Sequence, residues 1–191
     1  MNSLNLPNLL TMMRILLVPV FTYFFLKGDY LLALLVYVFT GMTDFIDGLL
    51  ARCLHKKTAL GAILDPAADK FLMFVTFIVL ALRGFVPVFL SALVIFRDAW
   101  IIGGLAVLKG KHKELYFKTT LLSKWNTFFQ LLTILLAFCL ALSLSGEYAE
   151  LSRYQDLFKQ LLHASIYTTA FSTIVTGIQY TKIGFELYRR G

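Results

Sequence analysis

Long apolar stretches separated by short polar segments run along almost the whole chain. Six of these stretches are roughly 20 residues long, which is enough for a helix to cross the hydrocarbon core of a bilayer. The predicted spans are 9–26, 31–51, 61–82, 85–108, 122–145 and 160–181. The pattern therefore predicts an all-α integral membrane protein with six transmembrane helices, built as a single domain over residues 1–191.

The composition favours the same class of protein. Hydrophobic residues make up 59% of the chain, and the mean hydropathy is +0.76. The first apolar stretch contains Arg14 and lacks both a basic start and a small-residue cleavage site, so we expect it to stay in the mature protein. Cys53 and Cys139 lie on different predicted helices and show no metal-binding spacing, so neither a disulfide nor a thiolate metal site is expected.

The net charge of +7 would suggest nucleic acid in a soluble protein, but its distribution indicates membrane topology. Three Lys or Arg lie in 52–60, five in 109–124 and three in 182–191, all on one side of the predicted bundle. The opposite connections carry only four. By the positive-inside rule, we expect a multi-pass membrane protein with both termini in the cytosol and with no nucleic-acid partner.

Four of the eleven acidic residues lie within one short, apolar part of the chain. They belong to the pattern D-x2-D-G-x2-A-R-x8-G-x3-D-x3-D, formed by Asp44, Asp47, Gly48, Ala51, Arg52, Gly61, Asp65 and Asp69. Charged groups in or near hydrocarbon cost several kcal/mol, about 2.5–3.5 on insertion scales, so four clustered carboxylates require cationic partners.

Helical periodicity places each half of this pattern on one helix face. At about 100° per residue, positions 44, 47, 48, 51 and 52 span roughly 140° of one predicted helix. On the next helix, positions 61, 65 and 69 lie within about 80° of one another. A helical hairpin would bring the two carboxylate stripes face to face.

Carboxylate oxygens are the ligands that hard divalent cations prefer. Four of them fit two ions about 3.5–4 Å apart, an arrangement that clamps the attacking and leaving oxygens in phosphoryl transfer. The small residues of the pattern would let a flat or phosphorylated ligand approach the backbone, and Arg52 can bind phosphate in a bidentate manner. A small metal-ion or proton transporter could use the same intramembrane carboxylates, but we find no paired repeats typical of one.

The pattern resembles the signature of the CDP-alcohol phosphotransferase family, and all eight positions match. The likeness extends from Leu6 through Arg14 to about Thr127. It implies a six-helix membrane enzyme, commonly a homodimer, with a polar active-site cavity open to the cytosol. Such an enzyme transfers a substituted phosphate from a CDP-alcohol to an acceptor hydroxyl and releases CMP. A non-catalytic scaffold with the family fold is a further alternative, but the intact acidic set argues against it.

The resemblance also implies roles for the matching residues. Asp44, Asp47 and Asp65 would hold two Mg²⁺ or Mn²⁺ ions, and Asp69 would contact the metals and act as general base. The CDP moiety would be held by Gly48, Ala51, Arg52 and Gly61. A base is needed because an alcohol that attacks phosphorus must lose its proton.

Within the family, segments 6–14 and 61–70 look like the bacterial branch that contains phosphatidylglycerophosphate synthases and CMP-forming cardiolipin synthases, both of which use CDP-diacylglycerol. The pair Arg97-Asp98 and the segment 123–127 (SKWNT) depart from the Arg-Glu and Gly-Lys-x-Lys-Thr patterns usual in the first group. These departures favour phosphatidylglycerol as the acceptor, but glycerol 3-phosphate remains open.

Two cations are candidates for binding the acceptor. Arg97 lies about 16 Å from the cytosolic end of its predicted helix, at 1.5 Å per residue, and Lys124 lies near the predicted mouth of the cavity. The alternative for Arg97 is a structural ion pair with a carboxylate on another helix. The sequence leaves both interpretations open.

Overall fold

The computed structural model describes residues 6–53, 61–111 and 120–190, with the side chains of 12–43, 70–104, 120–187 and 189. Within these ranges the chain is helical and contains no strand. The helices are α1 (Leu6–Lys27), α2 (Tyr30–Cys53), α3 (Gly61–Leu82), α4 (Val88–Lys111), α5 (Leu121–Leu144), α6 (Ala149–Ser152) and α7 (Gln155–Arg190). The prediction of an all-α protein is confirmed.

Each predicted span corresponds to one long helix. The largest difference is at α7, which has 36 residues and extends beyond the predicted span 160–181 at both ends. At 1.5 Å per residue it is about 54 Å long, more than the roughly 30 Å of a hydrocarbon core. The apolar pattern marks only the part of a helix that matches the hydrocarbon, so it does not report polar helical ends.

Two helices of the described part of the chain are long and apolar enough to cross a membrane. They are Leu121–Leu144 and Gln155–Leu187. Shorter apolar stretches occupy Tyr30–Thr43 and Lys70–Leu82 within α2 and α3. The protein therefore has apolar membrane-compatible helices, while the count of six spans stays a prediction.

Glycines with left-handed backbone conformation end α1 and α3. Gly28 has φ +97° and Gly84 has φ +76°. The amide that follows each glycine donates back to the preceding turn, from Asp29 N to Phe24 O at 3.0 Å and from Phe85 N to Leu80 O at 2.9 Å. These are Schellman-type ends, which glycine stabilises because it has no Cβ. They turn the chain sharply into α2 and towards α4.

The six long helices follow one another around the bundle in an order that differs from the chain order. α1 packs on α2 and α3, α3 packs on α4, α4 packs on α7, α7 packs on α5, and α5 packs on α2. The order around the bundle is therefore α1–α2–α5–α7–α4–α3. In this order α2 and α4 stand on opposite sides.

The buried side chains change from apolar to polar along the bundle axis. Near the α1–α2 and α3–α4 connections it is apolar and aromatic, and Phe25 contacts Tyr30, Phe85 and Phe138 at ring-centroid distances of 5.2–5.8 Å. Towards the other end, where α2 finishes and α3 begins, the buried side chains include Arg14, Thr40, Thr43, Arg97, Asp98, Asn126 and Thr173. We call this second end the motif end, because positions 44–69 lie there.

Candidate active site

The structure places all eight signature positions at the motif end. Asp44, Asp47, Gly48, Ala51 and Arg52 lie in the last ten residues of α2, and Gly61, Asp65 and Asp69 lie in the first nine of α3. Each pair of carboxylate positions is about one helical turn apart, as the spacing predicts. The side chains of these eight residues lie outside those that the structure describes, so their roles stay predictions.

A side-chain contact joins α2 and α3 close to the carboxylate positions. The Tyr37 hydroxyl donates to the Met73 sulfur at 3.8 Å. Tyr37 is about two turns from Asp44, and Met73 is about one turn from Asp69. Since α2 and α3 also share α1 as a packing partner, this contact supports the prediction that the two stripes lie near each other.

A buried ionic cluster begins one residue after the signature. Lys70 of α3 donates from Nζ to Asp98 Oδ2 of α4, and Arg97 donates from Nη1 to Asp98 Oδ1 at 2.7 Å. The side chain of Asp98 is 1% exposed, that of Arg97 is 7% exposed, and that of Lys70 is 33% exposed. Asp98 thus bridges two cations, and the three side chains carry a net charge of +1.

Three helices contribute to the surroundings of Arg97. Its Nη2 donates to Ser123 Oγ of α5 at 3.3 Å, and its guanidinium carbon lies 5.4 Å from the centre of the Tyr180 ring of α7. Gly177, one turn before Tyr180, also lies against Arg97: a Cβ built there would be 3.6 Å from Arg97 Cγ, an ordinary van der Waals distance. The cluster therefore ties α3, α4, α5 and α7 together beside the signature.

The two predicted acceptor-binding cations have different environments. Arg97 is buried and pairs with a carboxylate, but that carboxylate belongs to its own helix rather than to another. Lys124 is exposed and lies next to Ser123, the hydroxyl partner of Arg97. The geometry leaves both cations at the motif end, and their role towards an acceptor stays a prediction.

Hydroxyl and amide groups hold α5 against α7 in the same half of the bundle. Asn126 Oδ1 accepts from Ser172 Oγ at 2.7 Å and from Thr173 Oγ1 at 2.9 Å, and the hydroxyls of Thr133 and Thr169 are 2.8 Å apart. Such bonds between membrane-embedded helices contribute about 0.6 kcal/mol each on average. They fix the position of α7, which lines the site beside Arg97.

We expect Asp98→Asn to destabilise the protein strongly, because it leaves the buried charge of Arg97 without its counterion. Removing one partner of a buried ion pair typically costs about 3–5 kcal/mol. Thermal unfolding in detergent measures the change, with Glu150→Gln as the control because Glu150 pairs with Arg153 on the exposed surface. An Asp98→Asn protein that unfolds at the wild-type temperature would show that the cluster does not stabilise the fold.

Comparison with known proteins identifies the family. The model of the CDP-alcohol phosphatidyltransferase family matches residues 4–175. The chain belongs to this family. The matched region contains all eight signature positions, the Lys70–Asp98–Arg97 cluster and most of α7. Members of the family generally use divalent metals.

Individual relatives carry two different enzyme names. The chain is 36% identical to the cardiolipin synthase (CMP-forming) of Rattus norvegicus and 34% identical to that of Homo sapiens, over 96% of this chain and 62% of each relative. It is 37% identical to the CDP-diacylglycerol–glycerol-3-phosphate 3-phosphatidyltransferase of Aquifex aeolicus, over 69% of this chain and 74% of the relative. The chain spans about three fifths of the length of the two cardiolipin synthases.

Among the described side chains, no group of three or more His, Cys, Asp or Glu could hold a metal ion. The signature carboxylates lie outside that set, and their positions at the adjoining ends of α2 and α3 fit the oxygen-rich donor set of a hard divalent cation. The family assignment and the donor chemistry therefore point to the same place on the bundle.

Proposed function

We propose that this protein transfers the phosphatidyl group of CDP-diacylglycerol to the hydroxyl of a glycerol-type acceptor and releases CMP, in anionic phospholipid synthesis. The observation that carries the proposal is the complete signature, set on the adjoining ends of α2 and α3 within the region that the family model matches. The enzyme would span the bacterial cytoplasmic membrane six times, with both termini in the cytosol, and would act as a homodimer.

The proposed metal ligands are Asp44 and Asp47 of α2 with Asp65 and Asp69 of α3. They would hold two Mg²⁺ or Mn²⁺ ions, which, when bound, supply positive charge where the phosphate oxygens become more negative. The CDP moiety would lie against Gly48, Ala51, Arg52 and Gly61. The guanidinium of Arg52 would donate to phosphate oxygens in the bidentate geometry that arginine favours.

The reaction needs one proton transfer and one exchange of phosphorus–oxygen bonds. Asp69 would accept the proton of the acceptor hydroxyl. At the same time, the hydroxyl oxygen of the acceptor would attack the phosphorus that carries the diacylglycerol group. The new P–O bond forms as the bond from that phosphorus to the oxygen of CMP breaks, with the attacking and leaving oxygens in line. CMP leaves with the electron pair of the broken bond.

Phosphatidylglycerol is the proposed acceptor, which would make the product cardiolipin. The Rattus and Homo relatives named cardiolipin synthase match 96% of the chain, whereas the Aquifex relative, named for glycerol 3-phosphate, matches 69%. In addition, Asp98 bridges Lys70 and Arg97, and so gives a structural use to the Arg-Asp pair that departs from the phosphatidylglycerophosphate synthase pattern. The choice of the lipid acceptor therefore rests on the first observation, the greater coverage by the two cardiolipin synthases.

We expect purified protein to convert phosphatidylglycerol in preference to glycerol 3-phosphate when both are supplied with CDP-diacylglycerol and Mg²⁺ or Mn²⁺. The assay follows CMP release and separates the two lipid products by mass spectrometry. A matched reaction without acceptor gives the background of CDP-diacylglycerol hydrolysis. Incorporation of glycerol 3-phosphate alone would overturn the choice of acceptor, and an absence of CMP release with either would overturn the proposed function.

The topology gives a separate prediction. We expect a cysteine introduced at Glu150, in the exposed helix α6, to react with an impermeant thiol reagent added to intact cells, because it lies opposite the motif end. A cysteine introduced at Lys182, towards the motif end of α7, should react only after the cells are opened. Cys53 and Cys139 are replaced by alanine in both variants. The reverse labelling pattern would invert the proposed orientation.

A further inference from the structure

A groove of about 730 Å³ runs between α4 and α7 on the outside of the bundle. Its walls are mainly apolar, and they include Phe96 and Trp100 of α4 with Ile174, Ile178 and Phe185 of α7. All five of these side chains are largely exposed. The volume lies within the range of about 300–1,000 Å³ that is typical of small-molecule sites.

The groove is apolar over most of its length but cationic where it nears the motif end. Lys182, Glu186 and Arg189 line that end on α7, and Arg97 forms part of the wall further along, opposite Gly177. These four residues carry a net charge of +2, which Asp98 reduces by pairing with Arg97. An apolar channel with a cationic end is complementary to one molecule in a membrane, a lipid with an anionic head group.

The wall of the groove at Arg97 connects to the signature. Arg97 pairs with Asp98, Asp98 pairs with Lys70, and Lys70 follows the proposed base Asp69 in α3. A lipid whose head group lies against Arg97 would therefore lie beside the part of α3 that carries the proposed base.

The position of the groove also indicates which of the two substrates, the CDP-diacylglycerol donor or the acceptor, it would bind. α4 stands opposite α2 in the order of helices around the bundle, and α2 carries three of the four positions proposed to hold CDP. In-line displacement requires the acceptor oxygen to approach phosphorus from the side opposite to the leaving group. A groove beside α4 is thus on the acceptor's side, and CMP would leave on the side of α2.

We propose that the α4–α7 groove holds an acyl chain of the acceptor, an anionic glycerophospholipid with a free hydroxyl in its head group. This inference rests on the proposed function and adds the place where a lipid acceptor enters. It also gives a physical reason for a lipid acceptor, since glycerol 3-phosphate has no chain to occupy the groove.

Tryptophan fluorescence tests occupancy without any need for catalysis. The chain has two tryptophans: Trp100 lines the groove, and Trp125 lies on α5. In vesicles of phosphatidylcholine, Trp100 in the Trp125→Phe variant should be quenched about twofold more by phosphatidylglycerol with brominated chains than by equally brominated phosphatidylcholine. Trp125 in the Trp100→Phe variant should be quenched equally by both lipids.

Equal quenching of Trp100 by the two brominated lipids would overturn the proposal. So would quenching by neither, which would indicate that a second copy of the chain covers the groove. Stronger quenching by brominated CDP-diacylglycerol than by brominated phosphatidylglycerol would show that the groove binds the donor lipid rather than the acceptor.

Kinetics provides the second measurement. Ile178→Trp fills the groove, and Phe171→Trp is the control because Phe171 is exposed on the same helix but does not line the groove. We expect Ile178→Trp to raise the KM for dioleoyl phosphatidylglycerol about tenfold, roughly the effect of losing one well-buried contact, without raising the KM for CDP-diacylglycerol. The KM for dihexanoyl phosphatidylglycerol should change little. An unchanged KM for the long-chain acceptor would refute the proposal that the groove holds an acyl chain of the acceptor. A wild-type protein that releases no CMP would instead refute the proposed function.

Discussion

We expect the Asp69→Asn variant to bind CDP-diacylglycerol but to transfer almost none of its phosphatidyl group. Asparagine keeps the size and polarity of the side chain but cannot accept the proton of the attacking hydroxyl. General base catalysis typically contributes about 10²–10⁴-fold to the rate, and the variant also loses one of four proposed carboxylate ligands. The effect on kcat should therefore be among the largest that one substitution produces in this protein.

The measurement is CMP release in the presence of acceptor, combined with a binding assay for CDP-diacylglycerol. Asp29→Asn is the matched control, because Asp29 lies in the exposed turn between α1 and α2 and pairs only with the side chain of Lys27 in the described structure. It should keep wild-type turnover. If Asp69→Asn keeps more than a few per cent of wild-type turnover, Asp69 is not the base, and Asp44, Asp47 and Asp65 become the candidates.

The helical architecture could be predicted because the apolar segments are long and end at clear polar or glycine positions. The α1–α2 turn at Gly28 and the α3–α4 turn at Gly84 both interrupt the hydrophobic pattern and adopt the left-handed conformation that glycine favours. By contrast, the ends of α7 could not be predicted from hydropathy. Residues such as Gln155 and Glu186 continue a helix beyond the apolar stretch, and the pattern does not distinguish a polar helical turn from a loop.

The signature could be found in the sequence because its members lie within 26 residues and follow helical spacing. The partner of Arg97 could not be found in that way. The sequence predicted either an acceptor phosphate or a carboxylate on another helix, whereas the structure shows Asp98, its neighbour in α4. Adjacent residues on a helix normally point in different directions, about 100° apart, so an Arg-Asp pair is not expected to form a salt bridge. Here the long arginine side chain reaches around to the carboxylate.

The partner of Lys70 could not be predicted from the sequence either. Its contact with Asp98 depends on the packing of α3 against α4, and no local pattern encodes the distance between residues 28 positions apart. Similarly, the α4–α7 groove arises from two helices that are separated by α5 and α6 in the chain. Features that depend on which helices become neighbours require the structure, whereas features within one helix or one turn can be predicted from the sequence.

Removal of divalent metal should abolish the activity completely. Four carboxylates at the adjoining ends of two apolar helices would repel one another strongly without cations, and a second carboxylate nearby disfavours the charged form of the first. We expect excess EDTA to stop CMP release and Mn²⁺ or Mg²⁺ to restore it. Two observations independent of activity accompany this result: Mn²⁺ should bind to the protein, as seen by electron paramagnetic resonance, and should raise the unfolding temperature.

The carboxylate variants test whether that metal lies in the predicted place. Asp44→Asn and Asp47→Asn remove ligands on α2, so both should weaken Mn²⁺ binding and require more metal for any remaining turnover. Glu150→Gln, which removes a carboxylate from the exposed helix α6, should leave the metal requirement unchanged. Undiminished CMP release by protein shown to be metal-free would exclude the metal-dependent mechanism. If both α2 variants bind Mn²⁺ with wild-type affinity, the ions lie elsewhere, because α2 supplies two of the four proposed ligands.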